Sequence, residues 1–171
     1  MIVTAFMPSN MSVQKVSAQM MTQQSPSRGT MGSGADYNKP LPNYLKANIT
    51  INGFNLIADV PTTNEGFQKG LGVKDHLNEN EGMLFVFLKP PPPPFWMHGM
   101  KFPIDIIWLN GEGTVVHIEH NLQPCTPGLM CPTYAPRSSS GSSVYVLETV
   151  AGFSQKHNVS IGTSVESHLI T

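Results

Sequence analysis

Six consecutive apolar residues, Met83 to Leu88, are followed by Lys89 and then by five prolines, Pro90 to Pro94. Six such residues in a row leave no polar side to turn toward water. A strand built from them must therefore be covered on both faces. The prolines lack the backbone N–H that a sheet ladder requires, so the strand stops there. The run reads as a rigid strand-to-strand connector, with a polyproline II docking motif as the alternative. A chain with this feature needs one sheet and enough apolar material to cover both of its sides.

The remaining elements supply that material. LKANITINGFNLIADV is two alternating runs joined by Asn52-Gly53. Asn-Gly suits a two-residue hairpin turn, because both turn positions take positive φ. PTTNEGFQKGLG follows, with Thr62 and Glu65 in capping-box spacing, which predicts a helix over about 63–70 ended by Gly70 and Gly72. PIDIIWL and TVVHIEH form a second hairpin around Asn110-Gly111-Glu112-Gly113. VYVLETV is a further strand and AGFSQKHN a short helix, with Asn158 as a left-handed cap. VSIGTSVESHLI adds one or two short strands, and residues 121–143 form a long loop. The expected class is α+β leaning to all-β, a compact, mostly antiparallel sheet or small barrel of about seven strands with two short helices.

Residues 1–43 of the 171 show no hydrophobic period and are rich in Ser, Gln, Met, Gly and Pro. Such a segment cannot bury enough surface to offset its ordering entropy, so it reads as a disordered leader ahead of one β-rich domain, 44–171. A small-residue site at Val16-Ser17-Ala18 fits the remnant of an export signal, although a basic n-region is lacking. A leader unrelated to export is the other reading. No apolar run reaches transmembrane length, so any membrane tether is expected through the N-terminus. Net charge is −1, which leaves no basic face for nucleic acid.

Phe95 to Gly113, FWMHGMKFPIDIIWLNGEG, concentrates the chemistry. Strand alternation puts Trp96 and His98 on one face and Met97 on the other. It likewise groups Asp105 with Ile107 and Leu109, opposite Ile104, Ile106 and Trp108. Asp105 is thus a carboxylate inside an apolar strand, either a pocket acid or a structural acceptor of backbone N–H groups. Trp96, Trp108, Lys101, Lys74 and Asp105 are the candidates for a ligand pocket. Met97, His98 and Met100, with His117 and Glu119 on the facing strand, offer thioether and imidazole donors that suit Cu(I), while His120 points away. Core filling by Met and solvated His side chains is the preferred reading of that set, so no metal or cofactor is expected.

Cys125 and Cys131 lie in PCTPGLMCP. A small disulfide loop, a soft metal pair and free thiols all remain open, depending on compartment. Cys125 with His117 or His120 is a conceivable nucleophile–base pair, which a disulfide would preclude. G-x-S-x-G, H-E-x-x-H and phosphate-loop motifs are missing. Asn48-Ile49-Thr50 and Asn158-Val159-Ser160 match the glycosylation sequon.

Four blocks in order, KGLGVKDHL, EGMLFVF, FWMHGMKFPIDIIWLNGEGTVVHIEHNLQPC and YVLETVAGFSQKHNVSIGTSV, resemble the bacterial and archaeal family "domain of unknown function 192" over about residues 48–166. The resemblance implies a compact β-rich domain, commonly exported or membrane-tethered, with no established activity. The chain departs from the family pattern in several places. Gly72 follows Leu71, Lys74 stands where Arg is usual, His98 where Lys is common, and the proline run is long. Lys for Arg gives up bidentate geometry, so Lys74 would grip a carboxylate less well. The expectation is an extracytoplasmic module that binds a small molecule or a protein without catalysis. Copper binding and cysteine-dependent catalysis are the alternatives.

Overall fold

The computed structural model describes residues 43–126, 128–136 and 143–170. Apart from Asn43, the expected leader lies outside them, as does most of the Ser-rich stretch before Ser143.

The elements run in chain order as follows. β1 (Tyr44–Ile51) and β2 (Phe54–Pro61) form the first hairpin; α1 (Asn64–Lys69) and a 3-10 turn (Gly70–Val73) lead on to β3 (Glu81–Val86). Next come β4 (Phe95–Trp96), β5 (Ile104–Asn110), β6 (Val115–Leu122), β7 (Thr133–Tyr134) and β8 (Ser143–Val150). α2 (Phe153–Lys156) and β9 (Val165–Ile170) complete the order. Seven strands make one sheet in the order β6-β5-β8-β3-β2-β1-β9, and β4 pairs with β7 beside it.

Turn chemistry fixes the hairpins. Asn52 and Gly53 have φ of 47° and 78°, and they place Ile51 opposite Phe54. In the β5–β6 turn, the Asn110 side chain accepts from the N–H groups of Glu112 and Thr114. Gly113 is required there: a Cβ would stand 2.5 Å from the Val165 carbonyl oxygen. α1 corrects the sequence expectation by one residue. Thr63, not Thr62, caps it, accepting from Gly66 N at 3.1 Å. The Thr62 N–H bonds the Asn43 carbonyl, which keeps Thr62 in the hairpin, while Glu65 pairs with Lys69 instead of closing a capping box.

The sheet is mostly antiparallel, with one exception. β2 and β3 are parallel, joined by the crossover that contains α1. The sheet does not close into a barrel. Its edge strands meet at a single bridge, Thr114–Ser164. Beyond that bridge β6 and β9 are not paired with each other.

Both faces carry a core. One holds Ile49, Ile51, Leu56, Val60, Leu84, Val86, Ile107 and Leu147, and is closed at its end by Phe153 of α2. The other holds Met83, Phe85, Ile104, Ile106, Trp108 and Val146, roofed by Leu71, Leu77 and Met97 from the connections. β3, β8 and β5 are therefore covered twice, as the unbroken run Met83–Leu88 requires. β3 itself ends at Val86, earlier than that run.

Candidate functional site

Asp105 faces the first core with Ile107 and Leu109. It is fully buried and accepts four hydrogen bonds. Oδ1 takes the N–H groups of Asn121 at 2.8 Å and Gly152 at 3.1 Å. Oδ2 takes Ser154 N at 2.9 Å and the Ser154 hydroxyl. The carboxylate thus stitches the end of β6 and the start of α2 to β5. Its acceptor sites are used within the protein, so the structural role offered by the sequence matches this geometry. Outward from it, the Ser154 hydroxyl meets His120 Nδ1 at 3.0 Å. Ser154 gives its only proton to Asp105, so it accepts from His120 Nδ1–H.

The other pocket candidates lie elsewhere. Trp108 is buried in the second core, its ring 6.0 Å from Phe95 and 5.2 Å from His117. Lys74 reaches Asp59 at 3.1 Å and Glu81 at 3.9 Å, and Asp59 also holds Lys46. Lys101 spans 2.6 Å to Asp75 at the surface. Trp96 is 57% exposed and lies 5.5 Å ring to ring from His98. Lys74, Lys101 and Trp108 therefore share one side of the sheet, while Asp105 belongs to the other.

The metal candidates are also spread apart. Met97 is buried in the second core, Met100 packs against that core from the side, and His98 is exposed. His117 bonds Glu119 at 3.0 Å. Among the described residues no group of three His, Cys, Asp or Glu converges on one point. Cys125 and Cys131 form a disulfide, so in this oxidised form neither sulfur is free to act as a nucleophile.

The disulfide loop builds a feature that sequence reasoning did not single out. A cleft of about 450 Å³ is lined by Leu122, Cys125, Leu129, Met130 and Tyr134, among others, and among the described residues no charged one lines it. β4 seats this loop: Phe95 pairs with Tyr134, Trp96 with Thr133, and Cys125 N bonds Met97 O at 3.2 Å. Leu129 is 70% and Met130 97% exposed, so with Trp96 three large apolar side chains face water in one region. A Leu-Met pair at the tip of a Cys-closed loop was the available signal.

Glu148 was also missed. It lies in the second core, directly across from Met83 and Ile106, with Oε2 buried and without a hydrogen-bond partner. Burial alone pushes its carboxyl up to about 8.

The family "domain of unknown function 192" (DUF192), described as an uncharacterized ACR, matches residues 47–167. The chain belongs to this family. No curated protein matches it. Among solved structures, a proposed transcription regulator from Sinorhizobium meliloti 1021 is 23% identical with a TM-score of 0.58, covering 72% of this chain and 93% of its own. A protein of unknown function from Novosphingobium aromaticivorans DSM 12444 is 24% identical with a TM-score of 0.57, covering 81% and 99%. At this identity the likeness establishes the shared fold. Across the DUF192 region of this chain, the blocks quoted from the sequence fall on the 3-10 turn, β3, β4–β6 and β8–β9.

Proposed function

We infer that this DUF192 protein is a non-catalytic, extracytoplasmic binding module that holds a protein partner through the cleft beside its disulfide loop. The observation that carries the reading is the exposure of Leu129 and Met130 at a cleft with no charged lining among the described residues, and of Trp96 on β4, which pairs with β7 beside it. Large apolar side chains gathered at one rim are how a partner-binding surface is built. The uncharged lining favours an apolar segment of the partner over a charged one. The disulfide supports a compartment in which thiols stay oxidised. It also shortens the ordering that binding would demand of the loop. Among the described residues no helix is long and apolar enough to cross a membrane.

Photo-methionine at position 130 in the native host tests this. One dominant cross-linked protein is expected, lost in a Trp96→Asp variant. Ile161, an exposed apolar residue in another turn, is the control site. Equal cross-linking from a photo-reactive residue at 161 would count against the reading.

A further inference from the structure

Glu148 belongs to a row that crosses one side of the sheet: Asp59, Met83, Glu148, Ile106, Glu119. Three acids alternate with two apolar residues. Asp59 is neutralised by Lys46 and Lys74, and Glu119 is bonded by His117. Of the three acids in this row Glu148 alone meets no charged partner among the described residues, and burial is the sole cause of its raised pKa. The acids on either side are each kept a strand away by Met83 and Ile106. At neutral pH Glu148 is therefore a protonated, neutral donor.

Trp108 is its diagonal neighbour on the same face, two residues along β5 from Ile106. Its indole Nε1 is also buried without a partner. Two buried hydrogen-bond donors in one apolar layer call for an occupant, because each unmade bond is costly.

The roof over this layer is made of two turns. Leu71 and Met97, both fully buried, hang from them. The turns meet backbone to backbone: a Cβ on Gly72 would stand 3.2 Å from the Gly99 carbonyl oxygen. A methyl on Gly70 would lie 4.0 Å from Glu148 Oε2. Outside, among the described residues, the exposed Lys101–Asp75 pair alone bridges the two turns with side-chain charge, and such pairs are weak.

We propose that Glu148 and Trp108 are the polar groups of a second, closed ligand site beneath the 70–75 and 97–101 turns, which takes a small neutral carbonyl compound of the carboxamide class. The carbonyl oxygen accepts from both the Glu148 O–H and the Trp108 N–H. The amide N–H returns a bond to the Glu148 carbonyl oxygen. This pairing satisfies both orphaned groups and leaves no charge in the apolar layer, which a carboxylate or ammonium ligand would do. The site is separate from the surface cleft and stands or falls independently of it.

The test uses the full chain and acetamide as the probe. The chain has two tryptophans, so its two indole N–H resonances are assigned with a single Trp96→Phe variant. Acetamide should shift the Trp108 resonance saturably and leave Trp96 unmoved. In Glu148→Leu the affinity should fall roughly tenfold. Should that variant not fold, the infrared carbonyl stretch of protonated Glu148 gives the same answer in the unaltered protein, moving to lower frequency as amide binds. Three results would overturn the proposal. The first is no saturable change at Trp108, and the second is a shift confined to Trp96. The third is a long-lived water on the Trp108 N–H that acetamide does not displace.

Discussion

The two faces of the sheet each bury a carboxyl group, and they treat it in opposite ways. On the first face Asp105 is surrounded by donors from β6 and α2 and accepts four hydrogen bonds. On the second face Glu148, one strand over, has an oxygen with none. The cores differ in the same sense. The first is aliphatic and draws on all seven strands of the main sheet, with Phe153 at its end. The second is aromatic and Met-rich, rests on the central strands, and is roofed by connections instead of regular structure. The first face is tied together through Asp105, whose carboxylate is fully satisfied, and the polar atom it leaves unpartnered is a neutral hydroxyl, Thr149 Oγ1. The second keeps unspent hydrogen-bonding capacity under a roof of turns, where function is more cheaply placed.

The contrast can be broken at its strongest point first. Asp105→Ala strands four donors in the interior and should cost about 3–5 kcal/mol in denaturant unfolding. A loss below about 1 kcal/mol would show that the first face does not depend on its carboxylate.

Glu148→Gln should act in the other direction. The folded carboxyl sits at about 8 against an ordinary 4.5, so the fold favours the protonated form. Wild-type stability from this group is fully present below about pH 4.5 and falls as pH rises to about 8. Glutamine removes that slope but brings its own unpaired amide, for a net gain of about 2 kcal/mol at pH 8. Parallel stability–pH curves for the two proteins would refute the protonated assignment.

Replacing both Cys125 and Cys131 by Ser should cost about 2 kcal/mol, as expected for a short closed loop. The effect on partner cross-linking should be larger than on the fold, since the loop forms the cleft wall. Loss of stability without loss of cross-linking would separate the cleft from the binding surface.

The smallest effect is expected at Lys74. Lys74→Ala should lose about 1 kcal/mol from its partly buried contact with Asp59, and Lys74→Arg should restore or slightly exceed wild type through bidentate geometry. Thermal unfolding of the pair at low and high salt reads this. A destabilised Arg variant would mean that the site is shaped for Lys.

Much of this was legible in the sequence. Met83–Leu88 announced a doubly covered strand, and Asn52-Gly53 announced a hairpin. The alternation in Ile104–Leu109 sorted Asp105 and Trp108 onto opposite faces, as found. The parallel pairing of β2 with β3 was not drawn from the sequence, although a helix between two strands is its usual mark. Glu148 was passed over for a clearer reason. In VYVLETV a Glu looks like the water-facing side of an alternating strand. Only the sheet order, which puts β8 between β3 and β5, shows that both its faces are covered. The disulfide stayed one of several options because Cys spacing alone does not report redox state. The cleft depends on β4 and β7 pairing across a gap of more than thirty residues, which local pattern does not encode.

The most direct test of the binding role is backbone hydrogen exchange on the full protein. The protein isolated natively with its partner is compared with the same protein stripped by denaturation and refolded with its disulfide intact. The account predicts slowed exchange in the native sample at Phe95–Trp96 and in the described residues of 121–134, with the seven-stranded sheet unchanged. Identical exchange in both samples, or protection spread over the sheet and absent from that loop, would contradict it.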